Sequence, residues 1–338
     1  MDPALDPIFQ APEPQERVSK TTALLWQYFF FPVLMVAAAV GVFVLFGAWS
    51  DSAPDERELL QTVQTGSENA QKQAAQQLAI AIAQARSKAD RQAVAGAGVD
   101  VPFFAEPAFA EGLRRAFLDA RRQDKSEDRV RWLAQALGRT ADPLNVAVLE
   151  EVVYPPAGQA KASSELRRAA ALGLLFMESR AAEPVLVRML SDGEDGEVRA
   201  IASNALALLA AQDGGARDAA GTRAALTSAL ADAHAGVTLN AAVALALRRD
   251  PAGLELLSRS LTRPGLEALG VRDLDLQKNA LMNAVRGVVR LSAGVEASGD
   301  LAAKIDALKP AIEALASDAD EGVRALARQG LERWRKTG

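Results

Sequence analysis

The sequence predicts an all-α protein in which paired helices repeat along the chain after one transmembrane helix. One pattern, best seen at 195–209, recurs six more times. Its apolar residues follow the 3.6-residue period of an amphipathic helix. Aromatic residues make up only 5% of the chain, so the core must rely on Ala, Leu and Val, which favour packed helices over a sheet. Together these observations predict a helical repeat array.

The composition excludes several kinds of site. The chain has no cysteine, which excludes disulfides, thiolate metal sites and thiol catalysis. Its single histidine, His234, excludes any site that needs two imidazoles. The formal net charge is −5, and acidic and basic residues nearly balance beyond residue 53. The sequence therefore lacks the basic surface that is typical of a nucleic-acid binder.

The first 50 residues divide into a polar tail and an apolar segment. Residues 1–20 contain four prolines and mixed charges without apolar periodicity, which predicts a disordered tail. Residues 21–50 carry no charge, and their apolar run would be about 30 Å long as a helix, enough to cross a bilayer. We therefore predict a transmembrane helix at 21–50 with aromatic anchors at its two interfaces. These anchors are Trp26, Tyr28 and Trp49.

A cleaved signal peptide is the alternative interpretation of this segment, because 48–50 loosely resembles a small-residue cleavage site. The long acidic tail favours the transmembrane helix, and so does an apolar run that exceeds the roughly 7–15 residues of a signal sequence. Arg17 and Lys20 precede the span, and only Arg57 follows it closely. This bias places the tail in the cytoplasm and the repeats outside a bacterial cell membrane.

Two small residues in the span could hold a partner helix. Ala37 and Gly41 lie four residues apart, so they share one face of the helix. Lipid gives helices no hydrophobic drive to associate, and close backbone packing at small residues is a main source of their affinity. The alternative is chance composition, since small residues are common in spans. The span carries no ionisable residue, which argues against a transport pathway through it.

Residues 52–338 are predicted to form the repeat array. The first helix of its first pair is predicted to be capped by Ser52, to start near Pro54 and to continue over 58–65 to the helix breaker Gly66. The second helix of this pair is predicted at 69–84. The first helices of the later pairs are predicted to start near Pro107, Pro143, Glu183, Thr222, Pro251 and Leu301. Their second helices carry the anchor residues Val130, Leu166, Val198, Val237, Leu276 and Val323. Successive anchors lie 32 to 47 residues apart, the spacing of two-helix repeats.

A small residue follows each anchor by four positions, where neighbouring helices must approach closely. These residues are Ala134, Ala170, Ala202, Ala241, Ala280 and Ala327. A leucine at such a place would overpack the core at a cost of roughly 1–3 kcal/mol. Residues 86–105 interrupt the array as a non-periodic insertion, and Phe103 and Phe104 are expected to pack onto it.

Two copies of the pattern carry a family resemblance. The segments Asp-Gly-Glu-Val-Arg-x-x-Ala-x-x-Ala-Leu at 195–206 and Asp-Glu-Gly-Val-Arg-Ala-Leu-Ala-Arg-Gln-Gly-Leu at 320–331 resemble HEAT repeats. They are most similar to the short bacterial HEAT-like kind that is also found in phycobilisome lyases. The resemblance implies a right-handed α-solenoid of about seven helix pairs, whose second helices line a concave binding face. Weaker copies depart from the pattern, with Thr238 and Gln277 in place of arginine.

Second-helix positions that point away from the buried stripe define a candidate binding site. The residues there are Trp132, Arg168, Leu172, Leu175, Leu239, Val243, Leu281, Met282 and Val285. This row is too apolar to face open water. It predicts either burial between stacked repeats or a hydrophobic groove that takes a partner helix.

Two polar features have ordinary structural interpretations. His234 lies in a turn between paired helices, where a solvated turn residue is expected. Asp192, Glu194, Asp195 and Glu197 lack the alternating ligands and closing bidentate glutamate of a calcium loop, so we expect helix capping instead.

Basic residues concentrate in the second repeat pair. They are Arg114, Arg115, Arg121, Arg122, Lys125, Arg129 and Arg131. Interleaved acidic residues favour a solvated face of ion pairs, and contact with anionic lipid or an acidic partner near the membrane is the alternative.

The sequence contains no phosphate-binding glycine loop and no set of nucleophile, base and orienting residue. We therefore expect a non-enzymatic, membrane-anchored scaffold, a structural subunit of a bacterial membrane complex that binds protein partners. No cofactor, metal, nucleic acid or small-molecule substrate is expected. The alternatives are a transient assembly factor for an extracytoplasmic enzyme and an enzyme similar to phycobilisome lyases, which a bound tetrapyrrole would reveal.

Overall fold

Helices are the only regular elements of the computed structural model within the residues that it describes, so the predicted all-α class is confirmed there. Those residues are 55–94, 102–123, 127–213, 221–293 and 299–337. None of the described helices is long and apolar enough to cross a membrane. Outside the described residues lie the predicted tail, the predicted span and its residues Trp26, Tyr28, Ala37, Gly41 and Trp49.

Sixteen α-helices occur in the described ranges. They are α1 (Glu56–Thr65), α2 (Glu68–Val94), α3 (Pro107–Gln123), α4 (Asp128–Arg139), α5 (Leu144–Val153), α6 (Ser164–Met177), α7 (Glu183–Met189), α8 (Gly196–Asp213), α9 (Thr222–Ala229), α10 (Ala235–Leu247), α11 (Leu254–Ser260), α12 (Arg263–Ala268), α13 (Leu274–Ser292), α14 (Asp300–Asp306), α15 (Lys309–Leu315) and α16 (Glu321–Thr337). Short 3-10 helices span Phe103–Ala105, Arg180–Ala182 and Pro251–Gly253.

Most of these helices pack in pairs, and the two helices of a pair lie close together in the chain. The pairs in the described ranges are α1–α2, α3–α4, α5–α6, α7–α8, α9–α10, α11–α13 and α15–α16. Successive pairs contact each other mainly through their second helices, α2, α4, α6, α8, α10, α13 and α16. One continuous cluster of buried side chains runs through the pairs from Leu59 to Trp334. Each pair therefore buries its apolar stripe against its neighbours, as expected for repeats that cannot form a core alone.

Small residues allow the second helices to approach each other closely. The predicted alanines Ala134, Ala170, Ala202, Ala241 and Ala327 all have 0% exposure. This column lies where second helices meet, and it leaves no room for a larger side chain without displacement of a helix.

Helices α4 and α6 come closest, and two glycines make this contact possible. A Cβ on Gly138 would lie 2.6 Å from the Cα of Gly173 and would also collide with its carbonyl group. A Cβ on Gly173 would lie 2.5 Å from the carbonyl oxygen of Ala134. The two backbones are therefore in direct contact, which only glycine permits at these positions.

The predicted register of α13 is wrong by one residue. Leu276, the predicted anchor, is 60% exposed, whereas Gln277 is 1% exposed. The side-chain nitrogen Nε2 of Gln277 donates to the backbone carbonyl oxygen of Val271 at 2.9 Å. A buried polar side chain with its hydrogen bond made is tolerated in a core, so Gln277 takes the anchor position. Leu281 then occupies the close-contact position, and Ala280 is only half-buried.

The predicted insertion at 86–105 is shorter than expected. Helix α2 continues to Val94, because the stretch is rich in Ala, Lys, Arg and Gln, which are good helix formers even without apolar periodicity. Phe104 is buried, as expected, and the ring of Phe103 meets Phe109 edge to face at 5.0 Å between centroids. Residues 95–101 lie outside the described residues.

Candidate interaction groove

A large groove lies against four successive second helices, α6, α8, α10 and α13, and the segment that precedes α13. Its volume is about 1010 Å³. Its apolar lining consists mainly of Leu172, Leu175, Ile201, Leu239, Val243, Leu269, Val271 and Leu276. We call this surface the groove.

The groove has an apolar floor and amide groups in its walls. Leu239 and Leu175 are 7% and 8% exposed, so the floor is mostly covered by its own neighbours. Leu276 is 60% exposed at the rim. The amide side chains along the walls are Asn204, Asn240, Asn279 and Asn283. This combination offers apolar contact area together with donors and acceptors, which suits an amphipathic segment better than a uniformly apolar one.

The groove contains four of the nine residues in the predicted outward-facing row. Leu172, Leu175, Leu239 and Val243 all line it. Leu281 and Val285 were expected there too, but they are 0% and 1% exposed and belong to the core. The reason is the register of α13, where a shift of one residue turns the predicted outward positions toward the neighbouring helices.

Of the remaining predicted residues, Met282 packs against the core, and Trp132 and Arg168 lie away from the groove. Trp132 lines a separate pocket between α2 and α4. Arg168 donates to Asp195 from Nε at 3.0 Å and from Nη2 at 3.3 Å. Burial alone would raise the pKa of Asp195, but this guanidinium and two backbone amides lower it below the usual value. Arg168 therefore links neighbouring repeats.

His234 lies at the mouth of the groove and is not the freely solvated residue that the sequence predicts. It precedes α10, and its ring fits between two glycines, since a Cβ on Gly196 would lie 2.8 Å from the ring and one on Gly236 3.2 Å. Its Nε2 lies 3.3 Å from Oε1 of Glu197. Its Nδ1 is buried without a hydrogen-bond partner among the described residues. The glycines were visible in the sequence, but their contact with His234 was not.

The acidic turn before α8 caps backbone amides, as expected. Oδ1 of Asp192 accepts from the amides of Glu194 at 2.9 Å and Asp195 at 3.2 Å. Oδ1 of Asp195 accepts from the amides of Glu197 at 2.9 Å and Val198 at 3.4 Å. Among the residues that the structure describes, no group of three or more His, Cys, Asp and Glu residues could hold a metal ion.

The basic residues of the second pair are engaged in ion pairs, which favours the solvated face over a free basic surface. Their partners include acidic residues of the same helix and of the following repeat, in the pairs Arg114–Asp142, Arg115–Glu111, Arg121–Glu151, Arg122–Asp119 and Arg131–Asp128. Arg129 is 5% exposed and donates to the side chain of Gln71. Lys125 lies outside the described residues.

A buried ion network was missed by sequence reasoning. Glu183 is 6% exposed, and its Oε1 accepts from the hydroxyl of Thr222 at 2.9 Å and from Nη2 of Arg248 at 3.2 Å. Its Oε2 accepts from Nη1 of Arg180 at 2.8 Å. Glu183 and Arg248 are 65 residues apart in the chain, so no local pattern could have indicated their contact.

Comparison with known proteins reveals only distant structural similarity. No protein-family model and no curated protein matches the chain. The structure of YibA from Escherichia coli is 16% identical, with 86% of this chain and 96% of that chain covered and a TM-score of 0.43. The complex of CpcE and CpcF of phycocyanin lyase from Nostoc is 17% identical, with 75% and 93% covered and a TM-score of 0.45. A designed armadillo repeat protein is 19% identical, with 82% and 98% covered and a TM-score of 0.34. These similarities concern the fold alone.

Proposed function

We propose that the chain is a membrane-anchored, non-enzymatic scaffold whose groove holds a helix of a partner protein. The observation that carries this proposal is the groove itself, an apolar surface that stays open between four second helices. Leu276 is 60% exposed and Leu172 is half-buried, and both line the groove. Exposed leucines that border a continuous apolar surface are typical of an interaction site.

The size and chemistry of the groove favour a protein segment. A volume of about 1010 Å³ lies at the upper end of what small-ligand pockets occupy. An amphipathic helix places apolar side chains at i, i+3, i+4 and i+7, and it could lay them along the floor formed by Leu175, Leu239 and Val243. The wall amides would then meet polar groups at the edges of that helix.

The membrane part of the proposal rests on the sequence of residues 21–50. We infer that this segment spans a bacterial cell membrane and holds the repeats outside the cytoplasm, in a right-handed solenoid. A reporter enzyme fused after Gly338 should be active only when it is exported. Activity restricted to the cytoplasm would reverse the orientation.

The test of the groove compares a groove variant with a matched surface variant. Leu172→Ser combined with Leu276→Ser should reduce recovery of the partner at least about tenfold, since buried anchor residues carry most of the affinity of such contacts. Leu144→Ser is the control, because Leu144 is 67% exposed on α5 and lies outside the groove. Affinity purification of the full chain in mild detergent, with quantified partners, measures both. Equal recovery from the groove variant and the control would refute the proposal.

The same purification separates two roles of the scaffold. A partner that stays bound through extended washing indicates a structural subunit of a membrane complex. A partner that is released on washing indicates a transient assembly factor. Absorbance of a tetrapyrrole in the purified protein would contradict the non-enzymatic proposal.

A further inference from the structure

We propose that a second pocket, between α2 and α4, binds a partner segment that carries a large apolar side chain and an adjacent carboxylate. This inference rests on the proposed function in that it assumes protein partners, but it uses none of the residues of the groove. We call the surface the arginine pocket. Its main lining residues are Ile80, Ser87, Arg91, Trp132, Gln135 and Arg139.

The arginine pocket has an apolar side. Ile80 is 44% exposed on α2 and lines the pocket together with Trp132. Trp132 packs only partly against the core and turns the rest of its ring to the pocket. The volume of about 340 Å³ is enough for one large side chain and a neighbouring small group. Tryptophan and arginine are the residues most enriched among those that dominate protein interfaces.

The other side of the pocket carries positive charge without a matching carboxylate. Arg91 donates from Nη1 to the hydroxyl oxygen of Ser87 at 2.9 Å. Arg139 donates from Nη1 to the carbonyl oxygen of Gln135 at 3.2 Å, and its guanidinium lies 3.8 Å from the ring centroid of Phe176. Within the described ranges, neither arginine forms an ion pair, and no acidic residue lines the pocket. In this respect they differ from the other arginines of α3 and α4, which are engaged with acidic or polar side chains.

A third cation, Arg86, lies close to Arg139 and increases the local positive charge. Arg86 donates from Nη1 to the carbonyl oxygens of Arg139 at 3.1 Å and Phe176 at 2.8 Å. Its nearest carboxylate oxygen belongs to Glu178, at 3.9 Å. Burial, followed by the charge of Arg86, lowers the pKa of Arg139. A carboxylate brought by a partner would offset this repulsion and could accept two parallel hydrogen bonds from a guanidinium.

The surroundings favour a peptide over a lipid surface. Recognition of anionic lipid depends on several free basic residues spread over one surface. Five arginines of α3 and α4 are engaged in ion pairs with neighbouring acidic residues, namely Arg114, Arg115, Arg121, Arg122 and Arg131. Arg91 and Arg139 instead lie together in one small pocket beside Ile80 and Trp132. Such a site matches a single apolar side chain with one adjacent carboxylate.

The experiment uses the full chain in detergent micelles, with its tryptophans replaced by 5-fluorotryptophan. The fluorine signal of Trp132 is assigned by its loss in Trp132→Phe. The probe is a 12-residue alanine-rich helical peptide with one phenylalanine and a glutamate four positions later, and its twin carries glutamine instead. The glutamate peptide should shift the Trp132 signal, and the glutamine peptide should bind about tenfold more weakly, which corresponds to about 1.4 kcal/mol.

Substitutions of single arginines test which positive charge recognises the glutamate of the peptide. Arg91→Gln and Arg139→Gln should each remove the preference for glutamate, whereas Arg115→Gln should keep it, since Arg115 is 71% exposed and pairs with Glu111 on its own helix. Arg91 is exposed, so its variant tests the proposal even if Arg139→Gln unfolds the protein, which its thermal melt would show. The variant with Leu172→Ser and Leu276→Ser should bind the probe normally, so failure of the groove and failure of the arginine pocket are distinguishable.

Four outcomes would overturn the proposal. The first is equal binding of the two peptides. The second is a loss of the preference for glutamate in Arg115→Gln that equals the loss in Arg91→Gln. The third is a shift of the Trp132 signal by phosphatidylglycerol vesicles or inorganic phosphate but not by the glutamate peptide, which would indicate a lipid headgroup or a free anion. The fourth is no shift with any probe.

Discussion

Arg199 donates two hydrogen bonds to the carboxylate of Asp232, from Nε at 2.7 Å and from Nη2 at 2.9 Å. The same guanidinium donates from Nη1 to the carbonyl oxygen of Asp192 at 2.8 Å. Arg199 therefore joins the turn of its own repeat to the turn of the next one. Arg167 makes the equivalent connection to Asp192 one repeat earlier. In both repeats, an arginine directly after the anchor residue therefore pairs with an aspartate in the turn of the following repeat.

We expect Asp232→Asn to lower the free energy of unfolding by about 2 kcal/mol at pH 7, because it leaves a partly buried guanidinium without its charged partner. Asp119→Asn is the control, since Asp119 is 58% exposed and pairs only along its own helix. Its effect should stay below about 0.5 kcal/mol. Urea unfolding followed by circular dichroism measures both.

The contribution of Asp232 to the free energy of unfolding should also depend on pH. The hydrogen bond from Arg199, opposed by burial, lowers the pKa of Asp232 below its usual value. A carboxyl group with a lowered folded-state pKa contributes stability that is present above the unfolded-state pKa, about 3.9, and is lost as the pH falls through the folded-state value. The difference in the free energy of unfolding between wild type and Asp232→Asn should therefore become smaller as the pH falls. A difference that is unchanged at pH 3 would contradict this assignment.

We expect Glu183→Ala to lower the free energy of unfolding by about 3–5 kcal/mol, because the buried guanidinium of Arg248 would lose the carboxylate of Glu183. The double variant Glu183→Leu with Arg248→Met should recover most of this loss, since it removes both buried charges. Thermal melting of the three proteins checks the prediction. A double variant less stable than Glu183→Ala would show that packing around the network, rather than charge, dominates.

We expect Gly138→Ala to destabilise the protein by at least about 1–3 kcal/mol, because the new methyl group would collide with the backbone of Gly173. Gly112→Ala is the matched helical control. A Cβ there would meet the Cδ2 of Leu60 at 3.1 Å, and that flexible side chain can move. In chemical unfolding, the stability of the control should equal that of wild type or slightly exceed it, since alanine favours helices. Similar stability of the two variants would mean that α4 and α6 separate easily.

We expect the register of α13 to be visible in a pair of leucine variants. Leu281→Ala should cost about 2–5 kcal/mol, since Leu281 is fully buried. Leu276→Ala should change stability by less than about 0.5 kcal/mol, because that side chain is 60% exposed. Denaturation midpoints compare them directly. The opposite order would restore Leu276 as the anchor residue.

We expect Gly41→Ile to loosen the protein from its partner complex without detaching it from the membrane. In the proposed membrane helix, Gly41 and Ala37 would share one face because they are four residues apart, and the larger side chain would block close packing of a partner helix there. Val42→Ile adds bulk on a different face and should have no effect. Membrane fractionation and co-purification in mild detergent provide the two readouts. Unchanged co-purification of Gly41→Ile would reduce the span to a tether.

The periodic spacing of apolar residues was enough to predict most of the described helix pairs, but not α12 or the division of the predicted helix near Leu301 into α14 and α15. Glu183 and Thr222 begin α7 and α9, as the sequence predicts, and the anchors Val198 and Val237 are fully buried. A stripe of apolar residues is a local property, because it forms within one helix and needs only the helical period to be recognised. The turn aspartates are local too, since Asp195 accepts hydrogen bonds from amides two and three residues away.

Only the tertiary structure decided which apolar residues stay open. Gln277 replaces Leu276 in the core of α13, and Leu281 becomes core instead of groove, because the hydrogen bond to Val271 fixes the rotation of the helix. Arg91 and Arg139 become a candidate site only when α2 and α4 bring them into one pocket. These features depend on how each helix packs against the segments around it, which no single-helix pattern records.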